Sequence, residues 1–195
     1  VVVGEDLGVV PAYVSKSLSE HGILGCAVEW FEQFDGVFRA PKDWRPYALA
    51  SVNTHALPPA AGYLEYGHVK LREQLGLLSG PVEEFKKSAE AEHNAMLNML
   101  VKEGYLDADV LEDELANENE IVDALYRGLK GSPCKLMAAS IVDAVGEKRT
   151  QNQPGTSNEY PNWRIPLADG DGNVVPLEEL FGNTRLQEIA AIMRG

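Results

Sequence analysis

The chain is short of positive charge, short of sulfur, and has no long apolar run. Its 195 residues hold 17 Lys and Arg against 30 Asp and Glu, a formal charge of −13. A surface of that sign repels phosphate backbones and anionic lipid headgroups. It therefore excludes a general nucleic-acid binder and argues against docking on an anionic membrane. No apolar stretch approaches the roughly 18 residues a membrane helix needs. The two cysteines, Cys26 and Cys134, form no CxxC pair. They read as buried thiols of a reducing compartment, with a single disulfide as the alternative. His21, His55, His68 and His93 show neither HxxxH nor HExxH spacing, so no metal site is expected. Glycine-rich nucleotide fingerprints, a basic leader before an apolar stretch and N-x-S/T acceptor sites are also missing.

What is present is a globular balance of 45% hydrophobic and 24% charged residues. Val1-Val2-Val3 has no Met before it and runs straight into Gly4-Glu5-Asp6-Leu7-Gly8. It reads as the end of a buried strand, so the expectation is a segment of something longer. Pro11 opens a helix over 11–21, stopped at Gly22. Residues 26–31 and 48–53 read as strands, each followed by a long loop; the second loop runs from Thr54 to Gly67. From about 68 to 130 the period becomes helical. Short stripes predict helices around Val69–Leu78, Val110–Leu115 and Ile121–Leu129, and a longer one runs from Pro81 to Gly104. Residues 135–142, almost continuously apolar, read as a fourth strand covered on both faces. A helix at 184–194 closes the chain. Strands alternating with helices predict an α/β fold with a parallel sheet. Three regions are expected: 1–67 with strands and active-site loops, 68–133 as a helical insertion, and 134–195 with the last strand, a substrate loop and the final helix.

Two groups stand where α/β barrels keep their chemistry, just past a strand. Glu5 and Asp6 are adjacent carboxylates at the end of the first strand. Adjacent side chains leave a strand end in different directions, so one can face the site while the other ties down the loop; the plainer reading is a solvated loop. Thr54-His55-Ala56 follows the third strand, where His55 would donate to substrate hydroxyls or simply be a satisfied loop histidine. Asn152-Gln153-Pro154-Gly155-Thr156 is a turn signal on its own. Tyr160, Trp163 and Arg164 suit either sugar stacking or packing. Asp169-Gly170-Asp171-Gly172-Asn173 fails a calcium-loop register, with Val174 sixth and Leu180 twelfth, and reads as a solvated turn.

Taken together, these segments resemble a known family. Gly4-Glu5-Asp6-Leu7-Gly8 with Pro11 and Gly22-Ile23-Leu24-Gly25, then Ser51-Val52-Asn53-Thr54-His55 with Leu57-Pro58 and Gly62, then Pro154-Gly155-Thr156 through Tyr160-Pro161-Asn162-Trp163-Arg164, are similar to three signatures of the amylomaltases. These are the 4-α-glucanotransferases related to the α-amylase clan. The resemblance implies the C-terminal half of a (β/α)8 TIM barrel, its fifth to eighth strands, with a helical insertion before the last strand. It implies cytoplasmic transfer of α-1,4-glucan segments between maltooligosaccharides, or to glucose, with retention and no cofactor. Carried over by motif, Glu5 is the acid/base, His55 and Asn152 bind substrate, and the nucleophilic Asp lies on a strand before residue 1. Ala56 stands where the family has a transition-state-stabilising Asp, and Pro59 where Thr is usual. The expected partners are the missing N-terminal half or a second copy of the chain. The rival expectation is a non-catalytic glucan-binding or interaction protein on the same fold.

Overall fold

The computed structural model describes residues 1–195, the Ala12 side chain aside. Its elements run α1 (Ala12–Glu20), β1 (Gly25–Val28), the hairpin β2 (Gln33–Phe34) and β3 (Val37–Phe38), β4 (Ala48–Ser51), α2 (Ala60–Leu64), α3 (Gly67–Gln74), α4 (Val82–Lys102), α5 (Glu118–Gly131), β5 (Leu136–Ala138), α6 (Ile141–Ala144), α7 (Leu177–Leu180) and α8 (Thr184–Arg194). Strands β1, β4 and β5 form a parallel sheet in that order, with Gly25 opposite Ala48 and Leu49 opposite Leu136. On the other edge of β1, Val3 makes a parallel bridge to Leu24. The Leu24 N–H donates to Val2 at 3.0 Å, while the next N–H, of Gly25, donates to Tyr47 at 3.0 Å. Successive strand N–H groups point to opposite sides, so four parallel segments lie side by side in chain order.

The helical layer on one face of this sheet makes the core. Ala27, Ala48 and Ala50 are fully buried and present only methyl groups, which lets helices approach closely. Met96, Leu97 and Leu100 of α4 and Ile121, Leu125 and Leu129 of α5 fill the space in one cluster. Each such side chain contributes about 1.5–3 kcal/mol through burial. Both helices are charged to suit their dipoles, with Glu83 and Glu84 opening α4, Glu118 and Glu120 opening α5, and Lys102 and Lys130 in the last turns. Ile189 of α8 seals the end of the cluster.

The strands are shorter than the apolar runs that announce them. The run 26–31 leaves the sheet after Val28 and turns through a 3-10 segment at Glu29–Phe31. The run 135–142 ends as a strand at Ala138; Ser140 then opens α6, and Leu136 is 38% exposed rather than covered on both faces. Continuous apolar character does not separate strand from short helix, and here the two follow each other. The segment 54–67 contains α2, whose Ala60-Ala61-Gly62 start is too short and small to show a period. Around Val110 the chain forms a 3-10 turn, Ala108–Glu112, and Leu115 is exposed. Cys26 and Cys134 are free thiols, the first half-buried and the second buried.

Candidate active site

Because the four parallel segments share a direction, the loops after Val3, β4 and β5 leave the sheet at the same end. The first carries Glu5 and Asp6, whose roles divide as adjacent side chains allow. Asp6 is fixed. Arg45 Nη1 and Nη2 donate to its two oxygens at 2.6 and 2.7 Å, the Cys26 N–H donates at 2.8 Å, and Ser15 Oγ donates at 3.1 Å. Burial pushes the Asp6 pKa up, but the Arg45 and Cys26 bonds overcome it and hold the carboxyl at about 2. Gly25 makes this possible, since a Cβ there would lie 2.6 Å from the Arg45 guanidinium that crosses the strand. Glu5 is exposed and stands clear of this knot.

The loop after β4 runs from Asn53 to Pro59 and carries His55 and Ala56. One buried carboxylate, Asp143 of α6, holds both ends. Asn53 Nδ2 donates to it at 2.8 Å and the Ala60 N–H at 2.7 Å. Tyr126 of α5 donates its hydroxyl to the same group at 2.7 Å and accepts the Ser140 N–H at 3.0 Å. Burial raises the Asp143 pKa while these donors pull it back. The loop itself lines a cavity of about 310 Å³ with Ser51, Asn53, His55, Ser140, Gln151 and Trp163 on its walls. Trp163 has a left-handed backbone, φ 60°, and is 64% exposed; its ring lies 5.1 Å from that of His55 at 39°. A bulky residue in that conformation is uncommon, and this one stands beside the cavity.

Ala56 faces a neighbouring cavity of about 420 Å³, whose walls include His68, Arg72 and Gln153. Asn152 is half-buried and sits between Gln151 of the first cavity and Gln153 of the second. The turn around it is tied down: the Gln153 N–H donates to Asn162 Oδ1 at 2.7 Å, and Asn162 Nδ2 donates to the Thr156 hydroxyl at 2.8 Å. Tyr160 donates to the Thr150 carbonyl at 2.6 Å and serves packing. The Asp169 carboxylate is taken by the backbone N–H groups of Asp171 and Asn173, as in a plain turn. His55, Ala56 and Asn152 thus flank two adjoining cavities, and Glu5 leaves the same end of the sheet without lining either one. Sequence reasoning passed over Asp143; its signal is a lone carboxylate within the apolar run Ser140-Ile141-Val142-Asp143-Ala144-Val145.

The family model for 4-alpha-glucanotransferase matches residues 1–170 of the chain. The chain belongs to the 4-alpha-glucanotransferase family. It is 47% identical to the 4-alpha-glucanotransferase of Mycobacterium tuberculosis strain H37Rv over the whole chain, which is 27% of that protein. With the Haemophilus influenzae 4-alpha-glucanotransferase it shares 31% identity over 95% of this chain and 26% of the relative. The crystal structure of amylomaltase from Corynebacterium glutamicum superposes with a TM-score of 0.91 at 37% identity, covering 99% of this chain and 28% of that one. The amylomaltase from Streptococcus agalactiae in complex with acarbose, 16% identical with a TM-score of 0.52, shares the fold. The chain spans about a quarter of the length of these family members.

Proposed function

We propose that this chain is the C-terminal half of a (β/α)8 glucanotransferase barrel. In the full-length protein it would move α-1,4-glucan segments between maltooligosaccharides, or onto glucose, by a retaining double displacement. The observation that carries this reading is the convergence of the Glu5, His55 and Asn152 loops at one end of a parallel sheet, where such barrels keep their chemistry. Retention uses two carboxyl groups about 5–5.5 Å apart. Glu5 supplies one, and the nucleophilic Asp comes from a strand before residue 1. Protonated Glu5 gives its proton to the glycosidic oxygen as the nucleophile bonds to the anomeric carbon and the C–O bond breaks. The resulting Glu5 carboxylate then takes the 4-hydroxyl proton of the acceptor as that oxygen displaces the nucleophile. A bound glucan would exclude water from the exposed Glu5 and set its carboxyl against the scissile oxygen. His55, steadied against Trp163, donates to hydroxyls of the sugar at the cleavage point, and Asn152 helps close over the donor chain. No cofactor is required, and free thiols suit a cytoplasmic setting.

Ala56 supports a second reading, a glucan-binding or interaction protein that has lost turnover, because a methyl group stabilises no oxocarbenium charge. The test is maltotriose disproportionation by the full-length protein, wild type and Glu5→Gln. Measurable transfer that Glu5→Gln abolishes supports the enzyme. Binding of maltotriose without transfer supports the second reading, and transfer unaffected by Glu5→Gln removes the acid/base role from Glu5. The isolated chain has the unpaired edges of Val3 and β5, so it should associate with its N-terminal half or with a second copy and transfer nothing. A compact active monomer in light scattering would refute the half-barrel.

A further inference from the structure

Glu5 is anchored through the residues on either side of it. Before it, the Gly4 N–H donates to the Leu24 carbonyl at 2.7 Å and ties the segment to the edge of β1. After it, the Asp6 side chain, only 1% exposed, is gripped from three parts of the chain. Ser15 of α1 donates at 3.1 Å, the Cys26 N–H of β1 at 2.8 Å, and Arg45, from the segment before β4, at 2.6 and 2.7 Å. Arg45 alone among these donors engages both carboxylate oxygens. Its guanidinium also donates to the Cys26 carbonyl, so one planar group holds the loop and the strand together. Glu32 adds negative charge near Arg45 but is itself paired with Arg39 at 3.1 Å, which leaves Arg45 to Asp6. A buried ion pair seldom gains stability over apolar side chains of similar volume. What a forked guanidinium does supply is a fixed plane and direction.

We propose that Arg45 is a positioning residue for Glu5: by clamping both oxygens of Asp6 against β1, it sets where the neighbouring carboxyl meets the glycosidic oxygen. The inference rests on the reading of Glu5 as the acid/base. Because Glu5 is exposed, its direction is set by the backbone of residues 4–6 rather than by packing around its side chain. The clamp is also constant at neutral pH, since Asp6, held at about 2, stays ionised and its bonds raise the Arg45 pKa further. A displacement of about 1 Å at a reacting group costs on the order of a hundredfold in rate. Here that loss falls on proton transfer to the leaving oxygen. A leaving group that departs as a stable anion escapes it. In α-maltosyl fluoride the C–F bond breaks and fluoride takes the electron pair as the nucleophile bonds to the anomeric carbon, with no proton from Glu5.

The test compares, in the full-length protein, maltotriose disproportionation with first-turnover fluoride release from α-maltosyl fluoride. Arg45→Met should lower kcat for maltotriose about a hundredfold while KM and fluoride release stay near the wild type. Arg45→Lys keeps a cation but not the fork, so it should recover only part of the loss, with the same selectivity. A thermal melt reports folding, and where Arg45→Met does not fold, Arg45→Lys decides by the same two assays. Arg45→Lys at the wild-type kcat overturns the clamp. So do equal losses on both substrates, which mark a merely structural role. Glu5→Gln separates the two readings. If it spares fluoride release and the Arg45 variants do not, the positioning role alone fails. If it loses both substrates alike, the acid/base reading fails and this inference with it, as both do if the wild type releases no fluoride.

Discussion

Glu29 is a fully buried acid without a partner, and its replacement should reshape the dependence of stability on pH. It follows β1, is fully buried, and neither of its oxygens has a hydrogen-bond partner among the described residues. Burial, and after it the charge of Glu32, raises its pKa from 4.5 to about 8. The folded state therefore keeps a proton that the unfolded chain releases. Stability is unaffected below pH 4.5, falls by about 1.36 kcal/mol per pH unit through pH 8, and is level above it. The loss amounts to about 3 kcal/mol at pH 7 and about 5 kcal/mol above pH 8. His68 works in the opposite sense. With its pKa lowered from 6.5 to about 4, it is neutral when folded, so stability rises with pH across that window. The two slopes should cancel between about pH 4.5 and 6.5 and leave a net fall from 6.5 to 8. Glu29→Leu removes the acid at similar volume, and Glu29→Gln removes only the titration. Urea unfolding of the full-length protein, followed by tryptophan fluorescence from pH 5 to 9, should show both variants gaining on the wild type as pH rises, Glu29→Leu by about 3 kcal/mol at pH 7. Parallel curves for wild type and variants would refute the reasoning, because they would mean that Glu29 ionises alike in both states.

Other changes have equally definite outcomes. Asp143→Ala leaves Asn53, the Ala60 N–H and Tyr126 without their shared acceptor, at about 1–3 kcal/mol for each stranded donor. It should lower the melting temperature and speed amide exchange across residues 54–60; unchanged exchange there would show that the loop needs no anchor. Gly62→Ala would drive a Cβ into the Lys148 carbonyl oxygen, so α2 must move. A thermal melt should register more than about 2 kcal/mol, and a neutral result would mean the two segments separate freely. In the full-length protein, Ala56→Asp should raise maltotriose disproportionation by several orders of magnitude, since each 1.36 kcal/mol of transition-state stabilisation is about tenfold. A normal family rate already present with Ala56 would show that this position does not stabilise the transition state.

Much of this was legible in the residues because two periods dominate the chain. The alternation of apolar runs with helical stripes gave the parallel sheet, and the stripes of α4 and α5 lie where Ala89, Met96 and Leu100, and Ile121, Leu125 and Leu129, placed them. The placement of His55 and Ala56 in the loop after β4, and of Asn152 beyond β5, could be read from the strands before them, since a loop just past a strand has a local address. What was hidden depends on contacts distant in sequence. Nothing near Asp143 announces Asn53, 90 residues away, or the Ala60 N–H, 83 residues away. Nor does Cys-Ala-Val-Glu-Trp-Phe reveal that the chain turns at Glu29 and buries that carboxyl without a partner. The ends of the strands at Val28 and Ala138 were blurred for the same reason: apolar character continues past the last ladder bond, and only the turn that follows ends the strand.

The Tyr126 hydroxyl gives the helical segment a significance that its position away from the cavities conceals. Through Asp143 it joins α5 to both ends of the His55 loop, so the segment between α3 and β5 acts as part of the foundation of that loop. Grafting a foreign insertion at these positions, as in building chimaeras between family members, would transplant more than a peripheral lobe. A graft lacking a hydroxyl at the place of Tyr126 would leave the Asp143 carboxylate short of a donor and the loop loosened, however well the new helices packed. The exchangeable unit therefore includes α6 and the loop after β4 along with the helices themselves.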